Sequence, residues 1–177
     1  MGHKHHRAEA EARVREVKFS VYVVSTSRYE LLQQGEEVED ISGDLAVRLI
    51  EKSGFVVLNK KIIPDSRTAI IRAVDEALRL GSDAILFIGG TGITRDDITV
   101  ETLELVLEKR LDGFGELFRV LSYREIGSAA LLSRAIAGLC KGAIIFAMPG
   151  HPNAVKLALE KLILPEIRHM VYMAKHK

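Results

Sequence analysis

"AILFIGGTGITRDD", residues 84–97, joins five apolar residues to a turn carrying three glycines, and then to two adjacent aspartates. An unbroken apolar run of this length suits a central strand covered on both faces. Gly89, Gly90 and Gly92 free the backbone for positive φ and remove side chains that would block a ligand. Successive N–H groups in such a turn form an anion-binding concavity; glycines that only permit a tight strand-to-helix turn give the same pattern. The common phosphate loops fail in detail. No Gly-Lys-Ser/Thr occurs at this turn, and Arg95 stands where the dinucleotide fingerprint needs its third glycine.

Outward from this stretch, "VKFSVYVVS" (17–25), "FVVLNKKII" (55–63, stopped by Pro64) and "AIIFAM" (143–148) read as further strands. Helices are expected over 43–54 with Ser42 as N-cap, over 66–81 with Gly81 as the stop, and over 99–111 with Leu103, Val106 and Leu107 inward. The spacing of Leu132, Ile136 and Leu139 predicts another helix over 128–140, and the chain from Asn153 reads helical almost to its end, with Pro165 kinking or breaking it. Residues 26–42 read as a polar connection around the start of the first helix, and 112–127 as loop-rich. Strands alternating with helices predict a three-layer α/β/α fold with a mostly parallel central sheet and no hairpin. Residues 17–177 form the domain, and 1–16 a charged extension bearing His3, His5 and His6.

The 177 residues fit one domain, and 47% hydrophobic content supplies a core. A net charge of +1 without a basic block argues against nucleic acid, and no apolar run reaches the ~20 residues that span a bilayer. The single cysteine, Cys140, lies in an apolar stretch and reads as a buried thiol, which fits a reducing, cytoplasmic setting. Four side-chain amides among abundant charged residues follow the compositional direction of heat-tolerant proteins.

In such a sheet, ligands bind beyond the carboxyl ends of the strands. Each strand is followed there by a chemically suggestive loop: Ser25, Thr26 and Ser27; Pro64 and Asp65; Gly89, Gly90, Thr91 and Gly92; and "PGHPNAV" (149–155). Asp96, Asp97 and Asp65 each precede a helix, so each carries two readings. One is N-capping and dipole matching; the other is holding a hard cation that bridges phosphate oxygens. Pro152 suits the first position of a helix, whose free N–H groups would face the cleft beside Pro149, Gly150, His151 and Asn153.

"EDISGDLAVRLIEKSG", "KKIIPD", "DAILFIGGTGITRDDITVETL" and "PGHPNAV", in this order and spacing, resemble the MoaB/MogA family of molybdenum cofactor biosynthesis over residues 17 to 172. The resemblance implies a molybdopterin adenylyltransferase that uses ATP as co-substrate and Mg²⁺ as cofactor. It implies catalytic and metal-holding roles for Asp65 and Asp97, and a nucleotide site at Gly89, Gly90, Thr91 and Gly92. Pterin contacts are implied at Pro149, Gly150, His151, Pro152 and Asn153, with Ser25, Thr26 and Ser27 nearby. It further implies a homotrimer or a hexamer, extended in that case through the N-terminal arm, and a MoeA-type metal-insertion partner. The rival reading is a scaffold that binds molybdopterin without catalysis. A nicotinamide-dependent oxidoreductase ranks third, for want of the third glycine.

Overall fold

The computed structural model describes residues 13–175, so His3, His5 and His6 lie outside the described residues. Six strands form one sheet: β1 (Lys18–Val24), β2 (Val56–Ile63), β3 (Ala84–Ile88), β4 (Lys109–Arg110), β5 (Ile136–Cys140) and β6 (Ala143–Met148), in the spatial order β2-β1-β3-β6-β5-β4. The pairs β1–β2, β1–β3 and β3–β6 are parallel; β5–β6 and β4–β5 are antiparallel. Helices are α1 (Thr26–Gln33), α2 (Ile41–Lys52), α3 (Arg67–Leu80), α4 (Thr99–Glu104), α5 (Asp112–Ile126), α6 (Pro152–Ala158) and α7 (Ile167–Lys175).

The pleat divides β3 between two cores. Ala84, Leu86 and Ile88 join the cluster beneath α2, α5, α6 and α7, whereas Ile85 and Phe87 join the cluster beneath α3 and α4. All five residues are fully buried, as expected of a strand covered on both faces. The three-layer expectation therefore holds, and the layers follow from side-chain alternation along the central strands.

Several local expectations hold in detail. Gly81 ends α3 at φ 78°, and Pro152 occupies the first turn of α6. Cys140 is buried and unpaired, and burial pushes its thiol pKa up. The chain breaks around Pro165, after a π turn at Leu159–Ile163.

Other expectations are corrected. The N-cap of α2 is Asp40, whose carboxylate accepts from Gly43 N at 3.0 Å; the Ser42 hydroxyl instead donates to Gly150 O at 2.6 Å. The polar connection contains α1, a helix that buries none of its residues. The helix expected over 99–111 stops at Glu104, because Glu108 N and Leu111 N donate to the carbonyls of Leu139 and Ala137 and draw 109–110 into the sheet edge. Residues 112–126 are helical, with Phe114 and Phe118 buried on one face. Gly115 fits this helix because a Cβ there would lie 2.5 Å from Ala135 O.

Residues 128–140 are a short 3₁₀ stretch (Gly127–Leu132) followed by β5. Lys141 and Gly142, at φ 47° and 81°, turn β5 directly into β6, so the sheet does contain a hairpin. Gly138 lets β4 approach: a Cβ would lie 2.5 Å from Lys109 O and 2.8 Å from Leu107 Cδ1. Gly138→Ala is therefore expected to lower stability by about 1–3 kcal/mol through overpacking, read as a lower urea midpoint with an unchanged m-value.

Candidate functional site

Strands β2, β1, β3 and β6 run parallel, so their carboxyl ends share one edge. The loops that leave them are tied together there. Ser25 N donates to Ile63 O and Gly89 N to Met148 O, both at 2.9 Å, while Asp65 N donates to Thr26 Oγ1 at 3.0 Å. Gly150 packs against Gly89, since a Cβ on Gly150 would be 3.5 Å from Gly89 Cα.

The glycine turn is confined on every side. A Cβ on Gly89, at φ 113°, would meet Val24 O at 2.4 Å. On Gly90, at φ 63°, it would meet Thr99 Oγ1 at 2.1 Å and Asp65 Oδ2 at 2.5 Å; on Gly92 it would meet Asp97 Oδ2 at 2.7 Å. Positive φ alone explains the first two glycines, and contact with the two aspartates explains Gly90 and Gly92.

Asp97 does not cap the following helix. Ile98 occupies the N-cap of α4, and Asp97 Oδ2 accepts from Thr94 N at 2.9 Å and from Thr94 Oγ1 at 2.6 Å. Burial works against its ionisation, but the Thr94 hydroxyl and amide, the Gly92 backbone and the Arg134 charge outweigh it and leave its pKa lowered. Asp65 is tuned the opposite way. Burial pushes its pKa up to about 6; the Ile98 backbone and Thr99 hydroxyl pull it back, and the charges of Asp97 and Asp96 push it further. Its Oδ1 is buried without a hydrogen-bond partner among the described residues. Asp65 is likewise not the cap of α3, a role Ser66 takes.

Arg134 fastens the turn, and residue-type reasoning missed it. Its backbone N donates to Thr91 O at 3.2 Å, its Nε to Gly92 O at 2.6 Å and its Nη2 to Asp97 O at 2.9 Å, while Nη1 pairs with Glu101. An arginine inside an expected helix carries no signal for this. Only the correct assignment of residues 133–135 as the approach to β5 would have aimed it at the turn.

A cavity of about 450 Å³ opens beside the turn. Gly90, Thr91, Gly92 and Asp97 line it, as do Pro149, Gly150, His151 and Asn153 from the loop after β6. His151 is the N-cap of α6, with Nδ1 accepting from Asn153 N at 3.3 Å. Pro152 starts that helix next to the lining residues. Ser25, Thr26, Ser27 and Asp65 share the same sheet edge but do not line the cavity; Asp65 reaches it only through its contact with Gly90. The remaining wall comes from α5 and the 3₁₀ stretch, over residues that read as loop and helix in the sequence, with Ser133 and with Ala154 and Leu157 of α6.

The two carboxylates set opposite pH dependences. An acid whose folded pKa is raised binds protons more tightly when folded, so Asp65 makes stability fall as pH rises from about 4 to about 6. An acid whose folded pKa is lowered contributes stability above its unfolded value that is lost as pH falls through the folded one, as Asp97 does. Asp65→Asn should therefore raise the thermal midpoint at pH 7.5 relative to the parent and leave it unchanged near pH 3.5. A fall at pH 7.5 would contradict this account of Asp65.

Residues 20–169 match the family described as a probable molybdopterin binding domain. The chain is 43% identical over 160 residues to the probable molybdopterin adenylyltransferase of Methanocaldococcus jannaschii, covering 90% of this chain and 94% of that one. It is 41% identical over 160 residues to the molybdenum cofactor biosynthesis protein B of Bacillus anthracis, covering 89% and 90%. The crystal structure of the tungsten cofactor synthesizing protein MoaB from Pyrococcus furiosus superposes with a TM-score of 0.81 at 39% identity, over 90% of this chain and 98% of that one. The glycine turn, its two aspartates and the PGHPNA loop thus sit in a protein that belongs to the molybdenum cofactor biosynthesis family, among the MoaB proteins.

Proposed function

We propose that the protein is a molybdopterin adenylyltransferase, in which the terminal phosphate of molybdopterin attacks the α-phosphorus of ATP. The new P–O bond forms as the bond to the β-phosphate breaks, and pyrophosphate leaves with the electron pair. Both reactants are already phosphates, so no protein nucleophile is needed; positioning and charge neutralisation suffice. The observation that carries this reading is the packing of Gly90 against Asp65 and of Gly92 against Asp97, which sets two carboxylates against a glycine-rich turn that lines a ligand-sized cavity.

The donor set fits Mg²⁺. No group of three or more metal-ligating side chains occurs among the described residues, which excludes an all-protein cage. Mg²⁺ characteristically takes one or two carboxylates and completes its shell with phosphate oxygens and water, and the partnerless Asp65 Oδ1 together with the ionised Asp97 supplies such a pair. When bound there, Mg²⁺ would neutralise charge on the phosphate oxygens. Asp97, fixed by Thr94, holds its own carboxylate in one orientation, and the N–H groups of Gly90, Thr91 and Gly92 receive phosphate. Pro149, Gly150, His151, Pro152 and Asn153, with the hydroxyls of Ser25, Thr26 and Ser27 nearby, are proposed for the pterin side. A homotrimer or hexamer, and a MoeA-type partner that takes the product for metal insertion, complete the proposal.

Pyrophosphate release from ATP and molybdopterin in the presence of Mg²⁺ tests it. Release is expected from the parent chain, and Asp97→Asn should lower it at least tenfold, about 1.4 kcal/mol of transition-state stabilisation, with assembly retained. Tight molybdopterin binding without any release would assign the protein instead to the scaffold reading.

A further inference from the structure

The wall that α5 gives to the cavity has a chemistry of its own. Phe118 and Ile126 make it apolar, and Ser122 and Glu125 are its polar members. Ser122 and Glu125 stand three residues apart on one helix, so they share a face. Ser122 is 6% exposed, yet its hydroxyl makes no hydrogen bond among the described residues; a mid-helix serine commonly returns one to a carbonyl of the preceding turn. Glu125 forms no ion pair among the described residues. By contrast, the cavity's other titratable side chains are engaged: Asp97 by Thr94, and His151 by Asn153 N. A hydroxyl and a carboxylate therefore remain unspent on an otherwise apolar wall.

We propose that Ser122 and Glu125 read the 2-amino-4-oxo edge of the pterin ring, an inference that rests on the function proposed above. That edge offers two parallel donors, N2–H and N3–H, beside one acceptor, O4. A carboxylate accepts both donors in bidentate fashion, and a neighbouring hydroxyl donates to O4. The flat ring itself packs on Phe118, Ile126, Ala129 and Leu132, which leaves its phosphate-bearing side chain for the glycine turn. Adenine offers the wrong pattern to this pair: its Watson–Crick edge presents a single amino donor next to the N1 acceptor, which a carboxylate repels. The wall thus separates the two substrates and fixes which one presents its phosphate as attacker.

The test uses the full chain and two fluorescent probes, 6-hydroxymethylpterin and 6-hydroxymethyllumazine, which differ in having an amino or an oxo group at C2. The absence of tryptophan keeps the protein background low. The parent chain is expected to prefer the pterin by at least about tenfold, as a polar site left unpaired rejects the mismatched ligand. Glu125→Gln, whose amide can donate to a 2-oxo group, should bring that preference below about threefold, and Ser122→Ala should weaken both probes by a similar factor. An unchanged preference in Glu125→Gln overturns the assignment, as does a parent chain that binds the two alike or fails to bind 6-hydroxymethylpterin. Titration with molybdopterin separates the failures. If it binds but the preference is absent, only the edge assignment falls; if it does not bind, the proposed function falls as well.

Discussion

Close approach at the carboxyl edge of the sheet is the constraint on which the rest of the site depends. Gly89 lies where any side chain would strike the Val24 carbonyl, and Gly90 lies where it would strike Asp65 and Thr99. These contacts join the end of β1, the loop after β2 and the start of α4 through a single turn. Because the four participating strands β2, β1, β3 and β6 pair in parallel register, their exits are already side by side before any loop forms. The turn then needs only residues without side chains, and Arg134 to fasten its carbonyls. An arginine suits this task better than a lysine because its planar fork reaches Gly92 O and Asp97 O together.

The same packing gives two chemically identical side chains different electrostatic characters. Asp97 sits where Thr94, Gly92 and Arg134 supply donors and positive charge, and it stays ionised readily. Asp65 is pressed against Gly90 and left with one oxygen, Oδ1, that no hydrogen bond satisfies among the described residues. A buried carboxylate oxygen without a donor costs stability wherever the group is charged. The surrounding fold carries that cost. The two N-cap readings that the sequence left open are both displaced by this arrangement, since Ser66 and Ile98 occupy the cap positions.

The chain made its central strands and glycine turn legible because their signals are local. Five consecutive apolar residues before a glycine pair, Gly81 after an amphipathic run and Pro152 after a strand each carry their meaning within a few positions. The antiparallel edge was hidden for the converse reason. Leu132, Ile136 and Leu139 fall at helical spacing by coincidence, and the pairing of β5 with β6 turns on the two residues Lys141 and Gly142. Gly113 and Gly115 suggested a loop over 112–127. Yet Gly115 is there because the Ala135 carbonyl lies too close for a side chain, a long-range fact that no local propensity reports. Asp40 and Arg134 were overlooked on similar grounds: the first caps α2 while pairing with Lys60 at 3.1 Å, and the second acts 37 residues from the aspartate it holds.

The misread region is also where the cavity acquires its second wall, and the coincidence has a physical basis. A phosphate-binding turn is built from backbone, so its sequence signature is strict and easily seen. A wall that accepts a flat heterocycle needs only apolar area with a few polar groups placed by the tertiary fold, and many sequences satisfy that. In this chain α5 packs Phe114 and Phe118 into the core and places Ser122 and Glu125 along the cavity. Phe114 meets Phe146 of β6 edge-on at 5.3 Å between centroids, which anchors the helix to the strand that ends in the PGHPNA loop. The α5 wall and the loops at the carboxyl edge are therefore tied to each other through the same buried core, and a change at the Phe114–Phe146 contact would shift the wall relative to the turn without altering any residue that lines the cavity.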